Sequence, residues 1–363
     1  MTTHISSFLG ANTPQGFVSF FDELYNPYKN YRMYIIKGGP GTGKSTLMKK
    51  IYAKCKENYI NTERIFCSSD PKSLDGLIIS DLNIAIADGT SPHIIEPKFP
   101  GAVESIVNTG EFWDNEMLSK QSNTIRSLTL ENSLLHRRSA KYLAAAGSVY
   151  SENLKATSQY IDMEKVRSFA FRFCKREIPQ KKICQPGRRY KRFISAITPD
   201  GNIFSDETVT KLSSRVIGIA DEYSSCSCTL CNIIGDTAIK NGYDCIFCHC
   251  PLKPHGECEH IIIPELSLCL MTVKKAHKTR ILCDRLIHIP RFMYEGAEKN
   301  LTLLKFNRKL TSLLINEAVA HLKSAKQVHD ELEKIYVEAM DFESFGKYTD
   351  KIIEEILYHI SSN

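Results

Sequence analysis

A glycine-rich segment, GGPGTGKS, has the residue types and the spacing of a phosphate-binding loop. Glycines let successive backbone N–H groups turn toward phosphate oxygens, and the N-terminus of a following helix adds a partial positive charge. Lys44 is expected to reach the β- and γ-phosphates, and Ser45 is expected to ligate Mg²⁺. The predicted nucleotide-binding residues are Gly38, Gly39, Pro40, Gly41, Thr42, Gly43, Lys44, Ser45 and Thr46.

A magnesium site at such a loop also needs a carboxylate from a neighbouring strand. The apolar run from Leu82 to Ala87 ends in Asp88, which we expect to be this second ligand of the metal. Asp88 is followed by Gly89, and Asp-Gly pairs often begin turns. The sequence therefore leaves two roles open for Asp88, a metal ligand and a turn residue.

Two more acidic residues follow the predicted strand 64–68, in the segment SSDPKSLDG. In open α/β sheets, ligands bind at the carboxyl ends of the strands, where Asp70 and Asp75 are expected. Either carboxylate is a candidate to orient the attacking water or an acceptor, with Asp70 taken as the catalytic candidate. Capping of a short helix is the alternative role, and His93 is a weaker candidate at the same edge.

The elements around the loop are those that such a motif requires. The apolar run from Met33 to Lys37 predicts a buried strand before it, and Leu47, Ile51 and Cys55 share one face of a helix from about Lys44 to Tyr59. Strands are also predicted over 64–68 and 83–87. Strands that alternate with helices predict a parallel sheet.

An internal repeat organises the rest of the chain. The segment FLGANTPQGFV from Phe8 matches FISAITPDGNI from Phe193, and both predict a hairpin around a Thr-Pro-x-Gly turn. LIISDLNIAIA at 77–87 corresponds to IIIPELSLCLM at 261–271, and the helical patterns that follow about 115 and 300 also correspond. We therefore expect two copies of one module, residues 1–184 and 185–363.

By these residues the first half resembles the P-loop NTPase superfamily. GGPGTGKST is similar to the loops of AAA+ ATPases and small kinases, but Gly89 stands where an AAA+ protein usually has a glutamate. The whole chain also resembles a bacterial family of duplicated P-loop ATPases with a recurring DGT-x-PH strand end, matched here by Asp88 to Thr90 with Pro92 and His93. The resemblance does not supply a substrate. The expected fold is α/β, with two tandem P-loop NTPase-like modules. Each has a parallel sheet flanked by helices, an N-terminal hairpin and an appended helical segment.

The second copy lacks the residues of the phosphate site. Its loop reads ADEYSSCSCTL, so that Ser227 aligns with Lys44 and Thr272 aligns with Asp88. Without the glycines, the lysine and the acid, this copy is expected to be catalytically silent.

Cysteines are concentrated in the same copy, and they offer a second kind of chemistry. Thiol and imidazole groups in close pairs are ligands of structural zinc or of an iron–sulfur cluster. Ordinary buried, reduced cysteines are the alternative, because cysteine is also a small apolar residue. The candidate ligands are Cys226, Cys228, Cys231, Cys248 and Cys250.

Composition excludes several classes of protein. The 363 residues are 42% hydrophobic and 24% charged, which is typical of a globular chain rather than a disordered or fibrous one. Neither a signal peptide nor a membrane span stands out, so we expect a cytoplasmic protein. The net charge of +6 is mild, and the basic run Arg188–Arg192 is expected to be a solvated linker. We therefore do not expect a nucleic-acid partner.

The sequence thus predicts an ATP-binding, Mg²⁺-dependent ATPase with one competent site in the first copy. A small-molecule or nucleotide kinase is one alternative, and a non-enzymatic, nucleotide-dependent regulatory module is another. The acceptor, whether protein or small molecule, the choice between ATP and GTP, and assembly into a homo-oligomer stay open.

Overall fold

The chain contains two mixed six-stranded sheets with helices, which confirms the α/β class. A computed structural model describes residues 2–24, 32–182, 185–256, 258–277, 279–294 and 301–361. Two antiparallel two-stranded hairpins are also present, one in each half of the sequence, as predicted from the Thr-Pro-x-Gly turns. The hairpins are β2 (Gly10–Thr13) with β3 (Gly16–Ser19), and β10 (Ser195–Thr198) with β11 (Gly201–Phe204).

The first sheet places the strand before the phosphate loop between two parallel neighbours. Its order is β1-β5-β6-β7-β4-β8, and β4 pairs in parallel with both β7 and β8. The strands are β1 (His4–Ser7), β4 (Arg32–Lys37), β5 (Thr62–Phe66), β6 (Leu74–Ile79), β7 (Ile84–Asp88) and β8 (Glu104–Asn108).

The expectation of a purely parallel sheet is wrong at one strand. β6 runs antiparallel to both β5 and β7 and lies between them. The connections on either side, residues 67–73 and 80–83, are shorter than the dozen or more residues that a parallel crossover needs. The chain therefore passes through β5, β6 and β7 as a meander.

The second sheet repeats the first, strand for strand. Its order is β16-β12-β15-β14-β13-β9, and each pair runs in the same relative direction as its counterpart in the first sheet. The basic segment predicted to be a linker instead forms the edge strand β9. The strands are β9 (Arg189–Arg192), β12 (Arg215–Ala220), β13 (Cys245–Cys248), β14 (His260–Ile263), β15 (Leu268–Val273) and β16 (Arg285–His288).

Helices follow the predicted pattern in both halves. In each half a helix of 14 residues follows the strand that precedes the loop, and long amphipathic helices close the half. The helices are α1 (Lys44–Glu57), α2 (Asn115–Lys120), α3 (Ser122–Ser158), α4 (Met163–Glu177), α5 (Asp206–Leu212), α6 (Ser227–Lys240), α7 (Leu301–Glu338) and α8 (Phe342–Ser361).

The chain folds into two compact units whose bounds differ from those of the two sequence copies. The first unit comprises Met1–Gly10, Ser19–Arg138 and Ala320–Asn363, and the second unit comprises Ala11–Val18 and Ser139–Val319. The division at 184 and 185 remains a prediction about the repeat. Each compact unit takes its closing helices from the other half of the sequence.

The two apolar cores show this exchange. In the first unit, Ile352 and Ile356 of α8 join the core formed by Tyr34, Ile36 and Leu47. In the second unit, α4 contributes to the core together with residues of β12, α6 and β14; its core residues are Val166, Phe169, Ala170, Phe173 and Cys174. Each sheet is therefore covered by a helix from the opposite half.

Among the described residues, no helix combines the length and the apolar character that crossing a membrane requires.

Candidate functional site

The predicted phosphate loop connects β4 to α1 at the carboxyl edge of the first sheet. Gly41 has a φ of +69° and Gly43 a φ of +86°, a conformation that other residues rarely adopt. Gly43 is the N-cap of α1, so the free N–H groups of the first helical turn follow the loop directly. This geometry suits the binding of an anion.

The structure brings Lys44 and Asp88 together, although 43 residues separate them in the sequence. The ammonium of Lys44 lies 3.6 Å from Asp88 Oδ2, and both side chains are largely buried. Their proximity follows from the parallel pairing of β4 with β7, in which Ile36 is opposite Asp88. Lys44 also donates to the carbonyl oxygens of Gly38 at 3.1 Å and Gly39 at 2.6 Å.

The two oxygens of Asp88 have different surroundings. Oδ1 accepts hydrogen bonds from the backbone N–H of Thr90 at 2.9 Å and from its hydroxyl at 2.5 Å, while Oδ2 faces Lys44. Asp88 is therefore a turn residue through one oxygen, and its other oxygen faces the lysine of the glycine-rich loop. The two roles left open by the sequence are compatible.

Hydroxyl groups fasten the loop to neighbouring segments. Ser45 Oγ accepts a hydrogen bond from the backbone N–H of Leu74 at 2.9 Å, which ties the start of α1 to the start of β6. Thr42 donates to the Gly39 carbonyl at 2.9 Å and accepts from the hydroxyl of Thr109 at 3.0 Å. Thr46 is exposed in the first turn of α1, and Pro40 is half-buried.

Asp70 lies at the same sheet edge but is engaged away from Lys44. Its carboxylate accepts from the hydroxyl of Ser73 at 2.8 Å and from the N–H of Lys72 at 3.3 Å, and Lys326 Nζ lies 3.6 Å away. These bonds stabilise the turn before β6; residues 67–73 form no helix, so Asp70 does not cap the short helix that the sequence left open.

Helices from the second half of the sequence pack against the loop, which the sequence did not predict. A Cβ atom on Gly39 would lie 2.7 Å from the ring of Tyr336, and one on Gly41 would lie 2.9 Å from the Glu333 carbonyl oxygen. A Cβ on Gly43 would lie 2.9 Å from the Phe345 ring. The loop glycines are thus required for close approach of α7 and α8 as well as for backbone conformation.

A buried carboxylate–histidine pair occurs in each copy and was also missed. In the first unit His93 Nε2 lies 3.1 Å from Asp75 Oδ2, with Phe21 stacked on the histidine ring at 4.4 Å. In the second unit His277 Nε2 lies 3.5 Å from Glu259 Oε2, and the Phe204 ring lies 5.7 Å from that of His277. Applying the 184-residue offset of the repeat to Asp75 and His93 would have identified the second pair.

In the second copy, a carboxylate occupies the position that corresponds to the predicted phosphate position of the first copy. The buried Asp221 accepts hydrogen bonds from the backbone N–H groups of Cys226 and Ser227, both at 2.9 Å, through Oδ2. Its Oδ1 accepts from the N–H of Ser225 at 3.0 Å and from its hydroxyl at 2.9 Å. Because an internal anion already satisfies the start of α6, this copy has no cradle left for a phosphate.

The candidate thiol ligands lie in two segments of the second unit. Cys226 is the N-cap of α6, Cys228 and Cys231 lie in its first turns, Cys248 ends β13, and Cys250 follows that strand. Burial raises the pKa of Cys226 and Cys228, and burial together with Glu259 raises the pKa of Cys250 to about 12. As free thiols, these groups therefore hold their protons.

One group in the described residues has the spacing of a metal site, formed by Glu259, His260 and His277 within 4.8 Å. However, His260 Nδ1 accepts the N–H of Thr272 at 3.1 Å, so the neutral ring carries its proton on Nε2 and cannot ligate through that atom. The ammonium of Lys274 bonds the other carboxylate oxygen of Glu259. The group is better described as a buried ion-pair network.

Charge balance explains why this network is stable when buried. Burial disfavours the ammonium of Lys274, but the Glu259 carboxylate outweighs this effect and holds the pKa of Lys274 well above its ordinary value. In turn Lys274 and His277 hold the pKa of Glu259 well below its ordinary value, against the effect of burial. Tyr150 accepts a further hydrogen bond from Lys274 at 2.9 Å.

Comparison with protein families, with curated proteins and with solved structures finds no match to this chain.

Proposed function

We propose that this protein binds ATP with Mg²⁺ at the loop Gly38–Ser45 and hydrolyses it, using a single site in the first unit. The observation that carries the proposal is the position of Lys44, 3.6 Å from Asp88 at the N-terminus of α1. A lysine and a carboxylate beside a glycine-rich loop have the chemistry needed to bind a nucleoside triphosphate and its metal.

Backbone amides of the loop would hold the β- and γ-phosphate oxygens, and the first turn of α1 would add its partial charge. Lys44 donates to two carbonyl oxygens of the loop, and phosphate oxygens would offer it stronger, charged acceptors. Neutralising the γ-phosphate lowers the barrier to attack by water, because negative charge is spread over this group in the transition state.

The donor set fits Mg²⁺, which prefers oxygen ligands. The Ser45 hydroxyl accepts its one hydrogen bond from Leu74 and keeps a further lone pair, and Asp88 Oδ2 is turned toward the site while Oδ1 is engaged by Thr90. Bound Mg²⁺ would supply charge neutralisation at the β- and γ-phosphates. Zinc is not part of the proposal.

The second copy is proposed to be silent because Asp221 occupies its anion-binding position and Ser227 replaces the lysine. One competent site per chain is therefore expected.

The test is release of inorganic phosphate from MgATP by the purified full chain. We expect Lys44→Ala to lower kcat by at least about 100-fold, as removal of a charge-stabilising donor does in other enzymes. Lys50→Ala is the matched control, because Lys50 is an exposed lysine of the same helix. Unchanged release by Lys44→Ala would contradict the proposal.

Other outcomes would favour the two alternatives. ADP that forms only when a metabolite acceptor is added indicates a kinase. Tight binding of ATP with negligible turnover indicates a nucleotide-dependent binding module.

A further inference from the structure

The corner between α7 and α8 is attached by backbone hydrogen bonds to the segment that follows β8. The N–H of Asp341 donates to the Phe112 carbonyl, and the N–H of Asp114 donates to the Ala339 carbonyl, both at 2.7 Å. Trp113 and Met340 form an antiparallel bridge between these bonds. Because β8 is paired with β4, this attachment fixes the corner beside the phosphate loop.

The attached corner presents apolar side chains to solvent next to the loop. Val337 is 44% exposed and Phe342 is 43% exposed, and both lie within van der Waals distance of the Cβ positions of loop glycines. A Cβ atom on Gly41 would lie 3.0 Å from Val337 Cγ2, and a Cβ atom on Gly43 would lie 3.7 Å from Phe342 Cε1. Apolar side chains beside an anion-binding loop can form the apolar part of a ligand pocket.

The second unit has the same corner but different side chains. There the N–H of Asp162 donates to the Phe292 carbonyl at 2.8 Å, in the position that Asp341 and Phe112 occupy in the first unit. The helical segment HLKSAKQVHDEL from His321 matches YLAAAGSVYSEN from Tyr142, 179 residues earlier. At this offset Val337 corresponds to Ser158, and Phe342 corresponds to Met163, which is half-buried. The exposed apolar pair thus accompanies the unit that retains the loop glycines and is missing from the unit that has lost them.

The backbone that carries Phe342 is held by a helix cap. It is the first residue of α8, and Asp341 caps that helix by accepting the N–H groups of Glu343 at 3.1 Å and Ser344 at 3.0 Å. The neighbouring Phe345 packs against Phe112, with ring centroids 5.5 Å apart. A pre-organised aromatic ring loses little entropy when a second ring stacks on it.

We propose that Phe342 and Val337 form the base-binding wall of the nucleotide site, with the nucleobase stacked on the Phe342 ring. This inference rests on the proposed function, because it places the base of the nucleotide whose phosphates the loop binds. Stacking does not depend on the hydrogen-bonding pattern of the base, so purine nucleotides of both kinds are expected to bind. The second half of the sequence then supplies the specificity for a nucleotide over a bare polyphosphate.

The test compares ATP with tripolyphosphate, which has the same phosphates and no base. Trp113 is the only tryptophan and lies 5.7 Å from Tyr336 at the corner, so its fluorescence reports binding. We expect Phe342→Ala to weaken ATP binding by about 5- to 150-fold, the range measured for loss of one base–aromatic stack. Tripolyphosphate binding is expected to be unchanged, and Phe342→Tyr is expected to bind ATP as the natural chain does.

Tyr358→Ala is the matched control, because Tyr358 is a 70% exposed aromatic residue of the same helix. The inference is overturned if Phe342→Ala leaves the ATP dissociation constant unchanged, or if it weakens ATP and tripolyphosphate equally. Failure of the proposed function gives a different result, in which the natural chain binds neither ligand or Lys44→Ala binds both as tightly.

Discussion

His93 Nε2 lies 3.1 Å from Asp75 Oδ2 in the interior of the first unit. The equivalent pair in the second unit, His277 with Glu259, is retained although the phosphate loop there is lost. A pair that is present in both units, only one of which has the glycine-rich loop, serves the fold of each module. It joins the segment after β7 or β15 to the start of the antiparallel strand β6 or β14.

Glu259→Gln is expected to lower the free energy of unfolding by about 3–5 kcal/mol, because it leaves the buried ammonium of Lys274 without a carboxylate. Urea denaturation measures the loss. The double variant Glu259→Leu with Lys274→Met removes both charges and is expected to be closer to the natural chain than the single variant. A single variant as stable as the natural chain would show that the ion pair contributes nothing.

Stability is expected to fall in acid because of His260. Burial lowers its pKa from 6.5 to about 3, so between these values the unfolded chain binds one more proton than the folded chain. The free energy of unfolding therefore decreases as the pH drops below 6.5, by about 2 kcal/mol between pH 7 and pH 5 from this residue.

His260→Asn removes the titrating group and keeps an acceptor for the N–H of Thr272, so the loss between pH 7 and pH 5 should shrink by that amount. His255→Asn, at an exposed position, is the control. Identical pH profiles for the natural chain and His260→Asn would rule out this origin of the acid sensitivity.

Asp221→Gly places the residue of the first copy, Gly38, into the second. The N–H groups of Ser225, Cys226 and Ser227 lose their acceptor, which should lower stability by at least about 2 kcal/mol. Because sulfate or phosphate can fill the vacated position, either anion should raise the thermal midpoint of the variant more than that of the natural chain. Chloride at equal ionic strength is the control, and an equal response to all anions would refute the assignment.

Gly39→Ala tests the packing of α7 against the loop. The added methyl group would lie 2.7 Å from the Tyr336 ring, and such overpacking typically destabilises by about 1–3 kcal/mol. Tyr336→Leu replaces the ring with a smaller side chain. In the double variant Gly39→Ala with Tyr336→Leu, part of the lost stability should therefore be recovered, as measured by thermal unfolding.

At Gly41 an added methyl group would contact the backbone carbonyl of Glu333, and the φ of +69° disfavours alanine. A smaller side chain on α7 is therefore not expected to recover the stability lost in Gly41→Ala. If the stability changes of the single variants Gly39→Ala and Tyr336→Leu simply add in the double variant, the two residues are not in contact.

The sequence predicted the parts of the fold that local patterns encode. The loop, α1, the strand β4, both hairpins and the position of Asp88 follow from residue types within a few turns of the chain. The strand β6 was missed because it is separated from β7 by only four residues, 80–83, and only the short connections show that the chain reverses there. The roles of Tyr336 and Phe345 at the loop depend on contacts between residues some 300 positions apart, which no local pattern records.

The exchange of closing helices has a consequence for how such a protein can be built. A chain ending near residue 184 would carry α4 without the sheet that α4 covers, and its own sheet would lack α8. An unduplicated module of this design could bury its apolar faces only by trading helices with an identical copy. Fusion of the two copies makes that partnership permanent and independent of concentration, and it lets one copy lose its glycine-rich loop while its helices still pack against the loop of the other.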